Sequence, residues 1–188
     1  MSGGISQAKG TVVAAARALS FVAFAGAAFA AAPEVNTADL QAAMRSLGFL
    51  TSLQNRSAVS VGVVYHGGDA DSKLEAARVA AMLAHLPGPG SASLQVTVMA
   101  AQDLPGASQH VDALYLLPLP AESGRPVTDF VKHQSAVSIS ADPACLEMGV
   151  CVLFVQARPS MTIVLDTALA QAAGAKFSTV FTMLVKRR

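Results

Sequence analysis

Val59-Ser-Val-Gly-Val-Val-Tyr65 is a Val-rich run without a single charged residue. A strand with one wet face alternates apolar and polar side chains, so an unbroken run of this kind fits a strand covered on both faces. The residues that follow decide how it is covered. His66-Gly67-Gly68-Asp69 has the composition of a turn, and Asp71 or Ser72 can then cap a helix in which Leu74, Ala77, Val79, Met82 and Leu86 fall largely on one side. Pro87-Gly-Pro-Gly90 stops that helix, and Leu94-Gln-Val-Thr-Val-Met99 reads as the next strand. Strand, helix, strand in this order calls for a right-handed crossover and a parallel pair.

The same alternation continues. Asp112-Ala-Leu-Tyr-Leu-Leu117 predicts a third strand ended by Pro118 and Pro120, residues 122–133 a helix, and Ala136-Val-Ser-Ile-Ser140 a fourth strand. Cys151–Gln156 and Met161–Leu165 then form a hairpin across Arg158-Pro159-Ser160. A short helix over Asp166–Ala173 stops at Gly174. Phe177, Val180, Phe181, Leu184 and Val185 keep helical spacing, which predicts a terminal helix. Ahead of the first strand, Thr37 caps a helix carrying Leu40, Met44 and Leu47 and ended by Gly48. The expected fold is therefore a single α/β domain, a mainly parallel sheet flanked by helices with a late antiparallel hairpin, resembling one lobe of a periplasmic binding protein.

The chain is 53 % hydrophobic with a mean hydropathy of +0.48, and part of that excess is local. Residues 18–32 carry no charge, follow Lys9 and Arg17, and include Ala28-Phe29-Ala30. A positive start, a short apolar run and a small-x-small site predict a secretory signal over residues 1–30, cut near Ala30, with a periplasmic product. The run is too short for a bilayer span of about 20 residues, so no stable membrane insertion is expected after cleavage. Lys9 and Arg17 leave with the signal while no acid does, turning the formal net charge of +1 into −1. Nucleic-acid binding needs a concentrated basic surface and is not expected. Lys186-Arg187-Arg188 is read instead as cations closing a helix C-terminus.

Cys145 and Cys151 are the two cysteines, and in an oxidising compartment they are expected to form a structural disulfide. Their spacing excludes C-x-x-C redox chemistry, and no nearby His completes a zinc site. A catalytic constellation is also missing from the pattern: there is no G-x-S-x-G elbow, no P-loop and no G-x-G-x-x-G after the first strand. His110 and Asp112 make only two of the three ligands a catalytic metal wants, and His85 and His133 sit near helix ends. The expectation is a binding protein, not an enzyme, with no metal and no cofactor. Ligands of open α/β sheets sit outside the carboxyl ends of the strands, so Tyr65, His66, Gly67, Gly68, Asp69, Leu117 and Pro118 are the candidate binding residues.

From about Val59 to the end, the order of motifs resembles the YfiR-like family of periplasmic proteins. Ala136-Val-Ser-Ile-Ser-Ala-Asp-Pro143, Met148-Gly149 between Cys145 and Cys151, Ile163-Val-Leu-Asp-Thr-Ala168, Ala172-Ala-Gly174, Phe177-Ser178 and Leu184 carry the likeness. It implies residues 31–58 as an N-terminal helix and linker and 59–188 as the YfiR-like domain. It further implies a homodimeric regulatory protein that binds the periplasmic part of an inner-membrane diguanylate cyclase or similar sensor and represses cyclic-di-GMP synthesis. The chain departs from the family in having no Trp, where members often end an aromatic-rich first helix with Trp-Pro, and in having one cysteine pair where some members have two. The alternative function is a small-solute binding module of a transport or sensing system.

Overall fold

The computed structural model describes Met1 and residues 35–188. The expected secretion signal, with its cleavage near Ala30, lies outside the described residues. The first strand, β1 (Ala58–Tyr65), is buried along most of its length, as its Val-rich sequence requires. It pairs in parallel with β2 (Ser93–Ala100) on one side and with β3 (Ala113–Leu116) on the other. Beyond β3 come β4 (Val137–Ser140) and β5 (Leu153–Gln156), both parallel to their neighbours, and β6 (Thr162–Leu165), antiparallel to β5. The sheet ends on β7 (Lys186–Arg187), giving seven strands in the order β2-β1-β3-β4-β5-β6-β7. The α/β architecture and the late hairpin are thus as the sequence pattern implies.

Helix α1 (Thr37–Leu47) buries Leu40, Met44 and Leu47. Its cap is Asn36 rather than Thr37: the Asn36 amide oxygen accepts from the Asp39 N–H at 3.0 Å, and Thr37 is already helical. Leu50 and Leu53 follow it into the same core, so residues 35–53 are integral to the sheet's packing. Helix α2 (Ala70–Ala84) crosses from β1 to β2, and its cap is Asp69, ahead of both Asp71 and Ser72. The Asp69 carboxylate accepts from the N–H groups of Asp71 at 3.1 Å and Ser72 at 3.2 Å.

Helix α3 (Gly124–Gln134) links β3 to β4, and α4 (Ala144–Glu147) links β4 to β5. Right-handed crossovers put α2 on one face of the sheet and α3 on the other, because the strand order reverses between β1 and β3. Helix α5 (Thr167–Ala172) is capped by Asp166 and followed by Gly174 at φ 68°, the left-handed position foreseen for it.

The tail differs from its spacing. Helix α6 (Thr179–Leu184) lasts only six residues, and the chain then extends into β7 beside β6. Val185 already has extended backbone, so Lys186-Arg187-Arg188 does not close a helix but forms a charged, exposed sheet edge. Phe181 stacks on both Phe49 and Phe177, with ring centroids 4.9 and 5.2 Å apart. Tertiary packing of these rings decides the register of α6, and Val180, Met183 and Leu184 are left exposed.

Candidate functional site

The sheet order creates a switch point. From β1 the chain moves outward to β2, then returns past β1 to β3, so the connections leaving β1 and β3 diverge to opposite faces. A crevice opens between the carboxyl ends of two such strands, and in open α/β sheets it is the usual ligand position. The segment from Tyr65 to Asp69 leaves the carboxyl end of β1, and Leu117-Pro118 leaves that of β3. Val64 of β1 stands opposite Leu116 of β3, so the two candidate stretches leave from neighbouring strand ends.

Their side chains are not equally available. Tyr65, His66, Gly67 and Pro118 are half-buried, and Gly68 and Asp69 are exposed. Leu117 is buried, and its N–H donates to the Val64 carbonyl at 3.0 Å, so it extends the ladder and packs in the core rather than facing the crevice. The His66 N–H donates to the Ser72 hydroxyl at 3.2 Å, which ties the turn to the start of α2. Gly68 takes φ 94°, a conformation that L side chains rarely adopt. A Cβ on Gly67 would overlap the amide of Gln102, so the turn after β1 and the turn after β2 touch through a bare backbone. Asp69 is spent on capping.

The start of α1 closes the rim from the β5 side. The Asp39 carboxylate accepts from the Ala157 N–H at 2.7 Å, just beyond the carboxyl end of β5, and from the Asn36 amide at 2.6 Å. On α2, Arg78 donates to the Val35 carbonyl at 3.1 Å and pairs with Glu75. The Arg78 hydrogen bond holds the Glu75 carboxyl below the usual carboxylate range, against partial burial that pushes the other way. Beneath these groups lies Tyr115 of β3, 1 % exposed, whose hydroxyl is the one buried side-chain polar atom among the described residues without a hydrogen-bond partner. Burial first, and then the negative charges of Asp39 and Glu75, push its phenol above the ordinary tyrosine range. None of these residues stood out in the sequence. The one signal was a lone Tyr within an otherwise apolar strand.

His110 and Asp112 lie at the opposite, amino end of β3, where Asp112 is a structural acceptor. Its carboxylate accepts from the Ser60 N–H at 2.8 Å and sits 3.5 Å from Arg56 and 3.6 Å from the His110 ring. Among the described residues no group of three or more His, Cys, Asp or Glu could hold a metal ion. His85 is the C-cap of α2 and His133 lies in the last turn of α3. Cys145 and Cys151 are joined in a disulfide buried around α4. No helix among the described residues is long and apolar enough to cross a membrane.

No family model and no curated protein matches the chain. Solved structures do resemble it. The ABC domain in complex with L-Trp from Streptococcus pneumoniae superposes with a TM-score of 0.52 at 14 % identity, over 81 % of this chain and 60 % of that one. A conserved domain protein from Vibrio cholerae O1 biovar El Tor is similar at a TM-score of 0.39 and 15 % identity, over 72 % of this chain and 55 % of that one. The chain thus spans less than two thirds of either structure. The likeness to the first shows a shared fold, an α/β domain built on a mostly parallel sheet.

Proposed function

We propose that this chain is a small-solute binding module that takes its ligand at the β1/β3 switch point. What supports the reading is the strand order, which reverses between β1 and β3 and sets the turns that begin at Tyr65 and Leu117 at adjacent carboxyl ends, the usual ligand position in open α/β sheets. A domain of the same fold holds L-Trp, which points to amino acids and small aromatic acids as the class to try first. Tyr65 and His66 offer ring faces for stacking and polar tips for hydrogen bonds, and the glycine turn lets backbone approach a ligand closely. Two-lobed binding proteins close over their solute from both sides. A single lobe needs its second wall from another domain or another molecule.

A thermal-shift screen with these solutes tests the proposal. A ligand at 100 times its Kd adds about 2.7 kcal/mol of stability, and the Tm rises accordingly. The rise should vanish in Tyr65→Ala and His66→Ala while their own melting temperatures stay near that of the parent. A screen in which no solute moves the Tm would refute this reading.

A second reading is favoured by where the 136–185 motifs fall: strand β4, the disulfide-bearing α4, the β5–β6 hairpin and α5 with Gly174, in the YfiR-like order. On that reading the chain is a periplasmic regulator that represses an inner-membrane diguanylate cyclase or similar sensor, and a buried disulfide suits such a compartment. Deletion of the gene would raise cyclic-di-GMP in the cell. Unchanged cyclic-di-GMP in the deletion strain would remove it.

A further inference from the structure

The two edges of the sheet are built differently. At one end, β7 has two residues, Lys186 and Arg187, both charged and exposed. Short, charged edges resist pairing with another strand. At the other end, β2 runs for eight residues, Ser93-Leu-Gln-Val-Thr-Val-Met-Ala100, with no charge, no Pro and no Gly. Among the described residues it has a strand partner on one side only. Shortness, charge and Pro, three of the common protective devices, are absent from this strand, and from the segment that follows it the Gln109 amide donates to the Thr97 hydroxyl at 3.1 Å.

Its free side can be assigned residue by residue. The Ser93 N–H donates to the Ser57 carbonyl at 2.9 Å, so Ser93 faces β1, and by alternation Gln95, Thr97 and Met99 do the same. The backbone N–H and C=O groups of Leu94, Val96 and Val98 therefore point away from the sheet. Val98 is 36 % exposed, and Leu94 and Val96 are half-buried. An open groove of about 610 Å³, lined in part by Tyr65, Lys73, Thr97 and Val98, runs beside the strand.

We propose that this edge is a homodimer interface, in which β2 pairs antiparallel with β2 of a second copy about a twofold axis at Val96. The strand is complementary to itself in that register. Leu94 meets the partner copy's Val98, Val96 meets Val96, and Gln95 meets Thr97, so apolar faces apolar and polar faces polar. Every outward N–H and C=O of Leu94, Val96 and Val98 gains a partner, and no like charges oppose one another. The seven-stranded sheet then continues into its copy without a break.

Charge reversal at the axis tests this. Sedimentation of the purified protein should show a dimer. Val96→Lys and Val96→Glu should each weaken it at least about tenfold in Kd, and an equimolar mixture of the two should restore it. Hydrogen exchange on the unsubstituted protein supplies the control should either variant misfold: the amides of Leu94, Val96 and Val98 should be protected. A monomer at all concentrations overturns the proposal, and so does a dimer that survives in folded Val96→Lys. Protected β2 amides in a strict monomer would place a different strand on this edge and overturn it equally. Solute binding at the switch point is read separately by thermal shift, so either proposal can fail without the other.

Discussion

Asp39, near the start of α1, accepts a 2.7 Å hydrogen bond from the N–H of Ala157, 118 residues further along the chain. This contact and the Asn36 amide bond to the same carboxylate fasten the first helix to the carboxyl end of β5. Asp39 is 5 % exposed, so water cannot replace either bond. Hydrogen bonds to a charged group contribute about 1.5–3 kcal/mol, and a buried donor left behind costs more. Asp39→Ala is expected to lower stability by about 2–3 kcal/mol in urea unfolding, with Asp39→Asn losing less because an amide oxygen can still accept. An Asp39→Ala protein as stable as the parent would show that the Ala157 contact holds nothing.

Tyr115→Phe should have the opposite sign. The hydroxyl is buried without a partner, and desolvating such a group costs about 1–3 kcal/mol. Removing it leaves the ring packing intact, so the variant should match or exceed the parent by up to about 1 kcal/mol in urea unfolding. The pH dependence follows from the raised phenol pKa. Above about pH 10 the unfolded chain releases this proton while the folded chain keeps it, so the folded state binds more protons and stability falls as pH rises. Tyr115→Phe should flatten that alkaline fall. A destabilised Tyr115→Phe protein would reveal a hydrogen bond to the hydroxyl.

Gly62 sits in the middle of β1, where a Cβ would lie 2.8 Å from Met99 Sδ and 2.9 Å from Leu114 Cδ2. Both atoms are the outer ends of side chains on strands paired with β1, so Met99 and the fully buried Leu114 must turn to new rotamers to make room. Overpacking of this kind costs about 1–3 kcal/mol, and Gly62→Ala should show it as a lowered urea midpoint with an unchanged slope. A midpoint equal to the parent's would mean that Met99 and Leu114 have room to adjust.

The fold was legible because its signals are local. Val59–Tyr65 has no charge to place in water, and the helix after it repeats apolar residues on one side, so a covered parallel strand followed at once. The caps slipped by one to three residues because Asn36, Thr37, Asp69, Asp71 and Ser72 are all capping types, and only the backbone chooses among them. The end of the chain misled for a different reason. Phe177, Phe181 and Leu184 keep helical spacing, but Phe181 is claimed by Phe49 from 132 residues earlier, and β6 offers Lys186 a ladder.

The rim at the carboxyl ends of β1 and β3 was half legible in the same sense. A turn after a strand can be located from glycines, which is how Tyr65–Asp69 emerged. That Asp39, Arg78 and Tyr115 gather at the same rim depends on contacts between segments far apart in sequence, and no local pattern encodes them.

The disulfide offers the last test. Cys145 and Cys151 are 2 % and 0 % exposed, six positions apart, and the strand entering after them is held from a second side. Ser138 donates its hydroxyl to the Val150 carbonyl at 2.7 Å and accepts from the Val152 N–H at 3.0 Å, so both neighbours of Cys151 are pinned to β4. Closing so short a loop removes about 2 kcal/mol of denatured-state entropy on the chain-entropy model. Cys145→Ser should therefore lower stability by about 2 kcal/mol in urea without unfolding the protein, since the Ser138 bonds keep β5 in register. Ser138→Ala in the same background should lose more than the two single changes together, because each then lacks the constraint that masked the other. Strictly additive losses would mean that the sulfur bridge and the serine secure β5 independently.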